Sequence, residues 1–260
     1  MAGYAAAILI GLSLGLIGGG GSILTVPILV FIFRIDPFTA TTYSLFVVGL
    51  TSSVGVISHY RGGNVNFKIA FLFGAPSLIA VFIMRKWVMS AIPQHLLNVG
   101  SFELTKSILL MLVFALMLLA ASISMISNKK EIINNDSQLN YTKLVILSIV
   151  VGIVTGFVGV GGGFLIIPSL VLFAGSSMKK AVGTSLMVMT MSSLLGVLGD
   201  VSRHAPINYN FLMFFSAFSI AGIIVGSYLT KYITDTKLKP AFGWFVLLMG
   251  IFVFVTTLYK

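Results

Sequence analysis

Eight apolar runs separated by short polar segments follow one another along the chain. They cover about residues 4–33, 38–58, 67–89, 104–126, 144–174, 180–198, 211–230 and 241–259. Six of these runs have roughly the 19 to 23 residues that a helix needs to cross a hydrocarbon core ~30 Å thick. The pattern therefore predicts an all-α integral membrane protein with several spans.

The first and fifth runs differ from the others in length and in glycine content. Each is about 30 residues long, or about 45 Å as one continuous helix, which is too long for one straight crossing and too short for two. Each also contains a glycine cluster, at 18–21 and at 159–163, followed by Pro27 or Pro168. Glycine costs about 1 kcal/mol relative to alanine inside a helix, and proline removes a backbone donor. We expect both runs to form broken helices or re-entrant pairs.

The two glycine clusters belong to an internal repeat. Residues 11–56 align without gaps on residues 152–197, and sixteen of the aligned positions are identical. The alignment predicts a first membrane repeat over 1–126, a polar linker over 127–142 and a second membrane repeat over 143–260. Two homologous halves that each open on a broken helix are typical of secondary transporters.

The relative orientation of the two halves stays open in the sequence. If each broken run crosses the membrane, each half has four crossings and the halves are parallel. If each run is re-entrant, each half has three crossings and the second half is inverted. The distribution of Lys and Arg among the loops favours the inverted arrangement only weakly. Because the first run is part of the repeat and no Lys or Arg precedes it, we expect no cleaved signal there.

The composition excludes several classes of protein. Apolar residues make up 58% of the chain, charged residues only 8%, and the mean hydropathy is +1.09, whereas soluble domains are about 25% charged. A soluble enzyme and a nucleic-acid-binding domain are therefore excluded. The basic residues that give the net charge of +10 lie in short loops, where they are expected to face lipid head groups. The chain has no cysteine and only three histidines. We therefore expect no cofactor, no bound metal and no nucleic-acid partner. The expected partners are membrane lipid and a small anionic substrate. Whether the protein forms a homodimer is left open by the sequence.

The positions of the acidic residues also limit the function. The six carboxylates lie in loops or near span ends, so we expect no acidic residue in mid-span to bind a cation or relay a proton. The chain also lacks the usual equipment of an intramembrane enzyme, such as an acidic pair or a metal motif. A core of backbone donors and hydroxyl groups suits an anionic substrate.

The glycine breaks are the candidate substrate site. A broken helix inside a membrane exposes backbone N–H groups and the positive end of a helix dipole, and glycine lets an anion approach them closely. The alternative is that these glycines only allow helices to pack closely. The predicted backbone donors are Gly20, Gly21, Ser22, Gly161, Gly162 and Gly163, and the predicted hydroxyl donors are Thr41, Thr42, Ser44, Thr184 and Ser185.

Four ionisable residues near span ends are candidates for an entrance or for proton coupling: His59, Arg61, Arg203 and His204. Arginine offers a forked donor for sulfonate or carboxylate oxygens, and histidine titrates near neutral pH. The alternative is that these side chains anchor the protein at the lipid head groups.

The repeated motif resembles a known family. GLIGGGGSILTVPIL and GFVGVGGGFLIIPSL are each followed by an Ala-x-x-x-Ser-Leu stretch, which reads ATTYSL at 40–45 and AVGTSL at 181–186. These doubled stretches resemble the duplicated motif of the TauE/SafE sulfite-exporter family. The resemblance covers nearly the whole chain.

The region after the first motif also resembles the family, with two departures. His59, Arg61, Gly63 and Asn66 fit the family's His…Gly-x-x-aromatic tail. Tyr43 stands where the second copy has Thr184, and His204 lies in a different register from His59. The resemblance implies transport of sulfite, organosulfonates or similar small anions.

Together these observations predict a secondary transporter in the cell membrane. We expect an exporter of a small sulfur-containing or carboxylate anion, which works by alternating access around a midplane site at the two glycine breaks. The alternative is a small-anion channel with the same polar centre.

Overall fold

The computed structural model describes residues 2–93, 95–99, 102–127, 141–201 and 208–258. The helices are α1 Ala2–Ile17, α2 Gly20–Pro27, α3 Pro37–Arg61, α4 Phe67–Ile83, α5 Met89–Ala91, α6 Lys106–Ser127, α7 Tyr141–Val158, α8 Gly163–Phe173, α9 Met178–Val201, α10 Tyr209–Leu229 and α11 Asp235–Leu258. A π-helical segment, Ile28–Ile32, continues α2, and another, Met84–Val88, continues α4; a 3₁₀ turn, Thr230–Tyr232, ends α10.

The helical membrane architecture expected from the sequence is confirmed. Within the described residues, seven helices are long and apolar enough to cross a membrane, and three shorter apolar helices lie beside them. One feature outside that expectation is a two-stranded antiparallel hairpin between α5 and α6, formed by β1 His95–Val99 and β2 Phe102–Thr105. Most of the predicted polar linker, residues 128–140, lies outside the described residues.

Short polar side chains fix where three of the long helices begin. The Asp36 carboxylate accepts from the N–H groups of Phe38 and Thr39 at the start of α3, where Pro37 occupies the first turn. Asn66 caps α4 and Asn208 caps α10, each by accepting from the third N–H of its helix. With one inserted residue, the alignment of 11–56 on 152–197 continues and pairs Asn66 with Asn208, so the two helices that the alignment matches begin in the same way.

The first long run is a re-entrant hairpin, formed by α1, α2 and the π segment that follows. A β-carbon added at Gly21 would overlap the Ile10 carbonyl, and one added at Gly3 would overlap the Phe33 ring. The start of α1 therefore lies beside the end of the returning segment. We call the membrane face on which both lie the Asp36 face.

The second long run forms a hairpin of α7 and α8 that opens on the opposite face. Helix α3 runs from the Asp36 face to a second face, which we call the His59 face. Lys68, just after α3, binds the hydroxyl of Tyr141 at the start of α7. Lys179, just after α8, lines one cavity together with Ser58 near the end of α3. Both ends of the second hairpin therefore lie on the His59 face.

The two hairpins thus enter from opposite faces, and three crossing helices follow each of them. Helices α3, α4 and α6 follow the first hairpin, and α9, α10 and α11 follow the second. This geometry favours re-entrant broken runs and the inverted arrangement of the two halves over the parallel one. The exact boundaries of the repeats stay a prediction from the alignment.

Glycines hold each hairpin against a helix from the other half. Gly11 and Gly15 let α1 approach the backbone of α10, and Gly152 and Gly156 let α7 approach α4. Small residues at this spacing allow the close backbone contacts that stabilise helix pairs in lipid. Helices α3 and α9 form the centre, because 67% of the apolar window of each is buried, compared with 33–44% in the other spans.

Candidate functional site

The tips of the two hairpins meet inside the protein. A β-carbon added at Gly19 would lie 2.6 Å from the carbonyl carbon of Gly163, and one added at Gly163 would lie 2.7 Å from the Cα of Gly19. Helix α2 begins at Gly20 and helix α8 at Gly163. The amino ends of two helices, each carrying a partial positive charge, therefore converge at one point.

The backbone donors predicted for the site are available at this point. Gly20, Gly21 and Ser22 form the first turn of α2 and Gly163 begins α8, positions whose N–H groups have no acceptor within their own helix. Gly161 and Gly162 directly precede α8 and carry their amides at the same end. Gly162 precedes α8 with a φ of +76°, a left-handed conformation that other residues adopt only at a cost. The Gly162 carbonyl accepts from the N–H groups of Leu165 and Ile166. The N–H groups that precede these two in the chain have no acceptor within α8.

Two buried hydroxyl groups that the sequence analysis did not single out lie beside the amino end of α8. A β-carbon added at Gly161 would lie 3.1 Å from Ser193 Oγ, and one added at Gly162 would overlap Thr155 Oγ1. Ser193 is 0% exposed and Thr155 is 2% exposed. Neither hydroxyl has a hydrogen-bond partner among the described residues. Each can therefore bind a ligand held by the glycine amides. Ser193 is one of the identical positions of the repeat. This identity is the feature of the sequence that could have identified it as a candidate site residue.

The side-chain hydroxyls of three first-half candidates are buried, and two of them are already engaged; Ser22 is included although it was predicted only as a backbone donor. Ser22 Oγ donates to the Gly19 carbonyl at 2.8 Å, and Thr41 Oγ1 donates to the Phe38 carbonyl at 2.7 Å. Ser44 Oγ is fully buried and has no partner among the described residues. Of these three, Ser44 is the one whose donor is not used within the fold.

The hydroxyls predicted for the second half are also buried and bonded. Ser185 Oγ donates to the Val182 carbonyl at 2.8 Å. Thr184 Oγ1 accepts from the backbone N–H of Asn66 at 3.0 Å, which ties α9 to the start of α4. Thr184 therefore supports the packing between the halves, whereas the Ser185 hydroxyl is satisfied within α9.

A buried ion pair lies next to the second glycine break. Arg85 Nη1 donates to Asp200 Oδ2 at 3.0 Å, and the side chains are 0% and 1% exposed. Thr42 Oγ1 donates to the same carboxylate oxygen at 2.8 Å. The sequence predicts Asp200 near a span end, and Asp200 does lie near the end of α9. Its burial and its pairing with Arg85 were not predicted.

Arg85 also packs on the broken backbone itself. A β-carbon added at Gly159 would overlap Arg85 Nη2 and Thr41 Cβ. The structure therefore brings a cation, two of the predicted threonines and the second glycine break together. An arginine at the end of an apolar run was the signal in the sequence, because ionisable residues at membrane depth are costly and often functional.

The four predicted entrance residues fall into two groups. His59 is 3% exposed, and its Nε2 lies 3.4 Å from the Gly15 carbonyl, whereas Arg61 is exposed at the end of α3. Arg203 and His204 lie outside the described residues. In the part of the chain that the structure describes, no three His, Asp or Glu residues are grouped as a metal site would require.

Comparison with known proteins extends these observations. A profile described as "Sulfite exporter TauE/SafE" matches residues 4–253. The chain is 29% identical over 236 residues to the "Probable membrane transporter protein YdhB" of Bacillus subtilis, covering 90% of this chain and 91% of that protein. It is 29% identical over 252 residues to a "Probable membrane transporter protein" of Xylella fastidiosa, covering 94% and 91%.

A more distant relative comes from an archaeon. The chain is 27% identical over 212 residues to the "Probable membrane transporter protein MJ0441" of Methanocaldococcus jannaschii, covering 76% of this chain and 72% of that protein. No solved structure matches the chain. These relatives are named as transporters and not as enzymes. The family match over nearly the whole length and the apolar helices together lead to one conclusion: this chain is a multi-pass integral membrane protein that belongs to the sulfite exporter TauE/SafE family of membrane transporters.

Proposed function

We propose that this protein is a secondary transporter, and specifically an exporter, of a small anion such as sulfite, an organosulfonate or a similar sulfur-containing or carboxylate compound. One observation carries the proposal: the amino ends of α2 and α8 meet inside the protein, and the N–H groups of their first turns have no acceptor within their own helices. Two positive helix ends that face each other repel, and an anion between them would relieve that repulsion.

The surroundings of this point favour an anion over a cation. Among the described residues, Asp200 is the buried carboxylate, and Arg85 neutralises it. The hydroxyls of Thr155, Ser193 and Ser44 can each donate to an oxyanion without adding charge. A cation would meet helix ends of the wrong sign and would find no unpaired carboxylate in this part of the protein.

The packing at the tips supports alternating access rather than an open pore. Gly19 and Gly163 are in direct contact, so a ligand fits between the tips only if the hairpins separate. Because the hairpins enter from opposite faces, movement of one hairpin against the other would open the site to one face at a time. The amide donors would stay at the centre in both states.

Flux into proteoliposomes tests the proposal. Labelled sulfite, a taurine-like sulfonate and a short carboxylate are supplied with and without a pH gradient. We expect saturable uptake of at least one anion and counterflow when the lumen is preloaded with the same anion. Uptake no faster than in protein-free vesicles across the panel would overturn the proposal. Uptake that rises linearly with concentration and shows no counterflow would identify a small-anion channel instead.

Two substitutions locate the site within the protein. Ser193→Ala and Thr155→Val remove hydroxyls that bond nothing else among the described residues, so folding should be retained. Loss of one hydrogen bond to the anion, about 1 kcal/mol, should raise KM about fivefold. Ser122→Ala in α6 is the matched control, since that hydroxyl donates to the Leu119 carbonyl. An equal KM in all three variants would place the site elsewhere.

A further inference from the structure

A second polar cavity lies on the His59 face, apart from the hairpin tips. Its volume is about 370 Å³, and its walls come from the ends of α3 and α10 and the start of α9. A water molecule occupies about 30 Å³ in the liquid, so the cavity has room for an organic anion with several waters. Its lining includes His59, Asn64, Lys179, Ser227, Thr230 and Lys231.

The charge of the cavity is positive. Lys179 and Lys231 line it, and no carboxylate does so among the described residues. One carboxylate among the described residues lies close by: Asp235 Oδ1 accepts from the backbone N–H of Lys179 at 3.0 Å. Lys231 Nζ lies 5.7 Å from the centre of the Tyr228 ring. This contact with the ring face leaves the N–H donors of the ammonium group available to a ligand. Two ammonium groups with one carboxylate nearby leave the cavity short of negative charge.

Two buried polar atoms in its wall have no partner. His59 Nδ1 and Ser227 Oγ are buried and bond nothing among the described residues. The opposite side of the His59 ring is fixed, because Nε2 faces the Gly15 carbonyl, which also accepts from Thr230 Oγ1 at 2.9 Å. Buried polar groups are nearly always satisfied in native proteins. A ligand or its bound waters would satisfy these two.

Comparison of the two halves shows what the cavity lacks. The offset of the repeat places Asp200 opposite His59, and the register set by Asn66 and Asn208 places Ser227 opposite Arg85. Arg85 and Asp200, one from each half, form a closed ion pair beside the second glycine break. The equivalent positions, His59 and Ser227, supply neither a carboxylate nor a guanidinium, and they line a cavity with two lysines instead. The first site contains its own anion, whereas the cavity needs one from outside.

We propose that this cavity is an oxyanion-binding vestibule that takes a sulfonate-type or phosphate-type head group between Lys179 and Lys231, with the Ser227 hydroxyl and the Asn64 amide as further donors. The proposal deepens the proposed function and rests on it in one respect: the vestibule would be the first or last stop of the transported anion on the His59 face. Two residues that line the vestibule, His59 and Thr230, contact the Gly15 carbonyl in the last turn of α1, just before the glycine break, which places the two sites near each other. A phospholipid head group carries the same chemistry, so the test separates a free anion from lipid.

Calorimetric titration of the purified protein in an uncharged detergent tests the site, with ethanesulfonate as the probe. Lys179→Gln, Lys231→Gln and Ser227→Ala should each weaken binding about threefold to tenfold, the range for one lost charged or neutral donor. The matched controls are Lys180→Gln and Lys237→Gln, two exposed lysines outside the cavity, which should change binding less than twofold. Equal weakening in variants and controls would overturn the site in favour of a general charge effect.

The lipid arm repeats the measurement with the same variants in micelles that contain phosphatidylglycerol or, as the neutral comparison, phosphatidylcholine. Competition between phosphatidylglycerol and ethanesulfonate that disappears in Lys179→Gln and Lys231→Gln supports a shared oxyanion site. Binding of phosphatidylglycerol alone, with the same dependence on the lysines, identifies the oxyanion as a lipid phosphate. Binding of neither probe, or binding that is insensitive to both lysines, would show that the vestibule is not an oxyanion site.

Flux measurements keep this inference separate from the proposed function. If the wild-type protein transports an anion and the vestibule variants bind and transport it unchanged, the vestibule fails while the transporter stands. If ethanesulfonate binds with the expected dependence on Lys179 and Lys231 but no anion of the panel is transported, the vestibule stands while the transporter fails.

Discussion

Arg85 and Asp200 join the two halves of the protein through a 3.0 Å ion pair whose side chains are 0% and 1% exposed. Arg85 lies in the π segment after α4, and Asp200 lies in the last turn of α9. The pair also contacts Thr42 of α3 and the backbone of Gly159. Three crossing segments and one hairpin therefore meet at a single charged contact on the Asp36 side of the glycine breaks.

Removal of one partner of this pair should destabilise the protein strongly. Arg85→Gln leaves a buried carboxylate without its cation, which typically costs about 3 kcal/mol or more in free energy of unfolding. The double variant with Asp200→Asn should lose less than Arg85→Gln alone, because no charge is left uncompensated. Equilibrium unfolding in mixed micelles measures both.

The control for this prediction is the adjacent Lys86→Gln, whose side chain is exposed. It should change the free energy of unfolding by about 0.5 kcal/mol or less. A double variant as unstable as the sum of the two single variants would contradict the prediction, because additive losses would mean that the two side chains do not interact.

Gly159→Ala should be much more harmful than Gly63→Ala. Both glycines have positive φ, +71° and +69°, so both variants incur similar backbone strain of about 1–2 kcal/mol. A β-carbon at Gly159 would also overlap Arg85 and Thr41, whereas nothing lies within 4 Å of one at Gly63. Overpacking adds about 1–3 kcal/mol. Equal unfolding free energies for the two variants would show that Arg85 does not pack on the break.

Gly11→Ala should separate α1 from α10. A β-carbon there would overlap the Ser219 carbonyl, and displacement of a packed helix costs about 1–3 kcal/mol. Gly74→Ala is the matched control within α4, because its nearest neighbours would be 3.7 Å away. The control should be neutral or stabilising by up to about 1 kcal/mol through helix propensity. Thermal unfolding in detergent compares the two, and a loss in Gly74→Ala equal to that in Gly11→Ala would contradict the packing described above.

Cysteine labelling can test the re-entrant geometry, because the chain has no native cysteine. Cysteines introduced at Tyr4 and at Arg34 should react with an impermeant maleimide from the same side of sealed vesicles, since α1 and the returning segment share the Asp36 face. A cysteine at Arg61 should react only from the opposite side. Labelling of positions 4 and 34 from opposite sides would show that the first run crosses the membrane.

Local features of the fold were predictable because their causes are local. A cluster of four glycines, at 18–21 and at 159 with 161–163, interrupts a helix wherever the helix lies, and the breaks after Ile17 and Val158 follow from this. The helix caps of Asp36, Asn66 and Asn208 likewise depend on side chains within three residues of the amides that they bind. Apolar length predicted six of the seven span-length helices among the described residues in the same way, and the seventh, α7, is the first part of the fifth run.

The partners of the buried polar groups were not predictable from residue types. His59 and Arg61 looked equivalent as entrance candidates, yet α3 turns His59 into the protein and leaves Arg61 exposed. Thr155 and Ser193 gained their positions beside the α8 amides from the approach of α7 and α9, helices whose mutual angle no local pattern encodes. The pairing of Arg85 with Asp200 joins residues far apart in the chain, and neither residue type specifies the other.

The sequence by itself determined an apolar, helical membrane protein with two glycine-broken runs and predicted an internal repeat, because hydrophobic length, glycine and short polar caps act within a few residues. Only the tertiary structure decided that the two hairpins enter from opposite faces, that Gly19 meets Gly163, and that a closed ion pair lies at one site where a cationic cavity lies at the equivalent site. Those features depend on how helices pack across the whole chain. Packing of this kind is decided by the close fit of many surfaces at once, and no single segment carries that information.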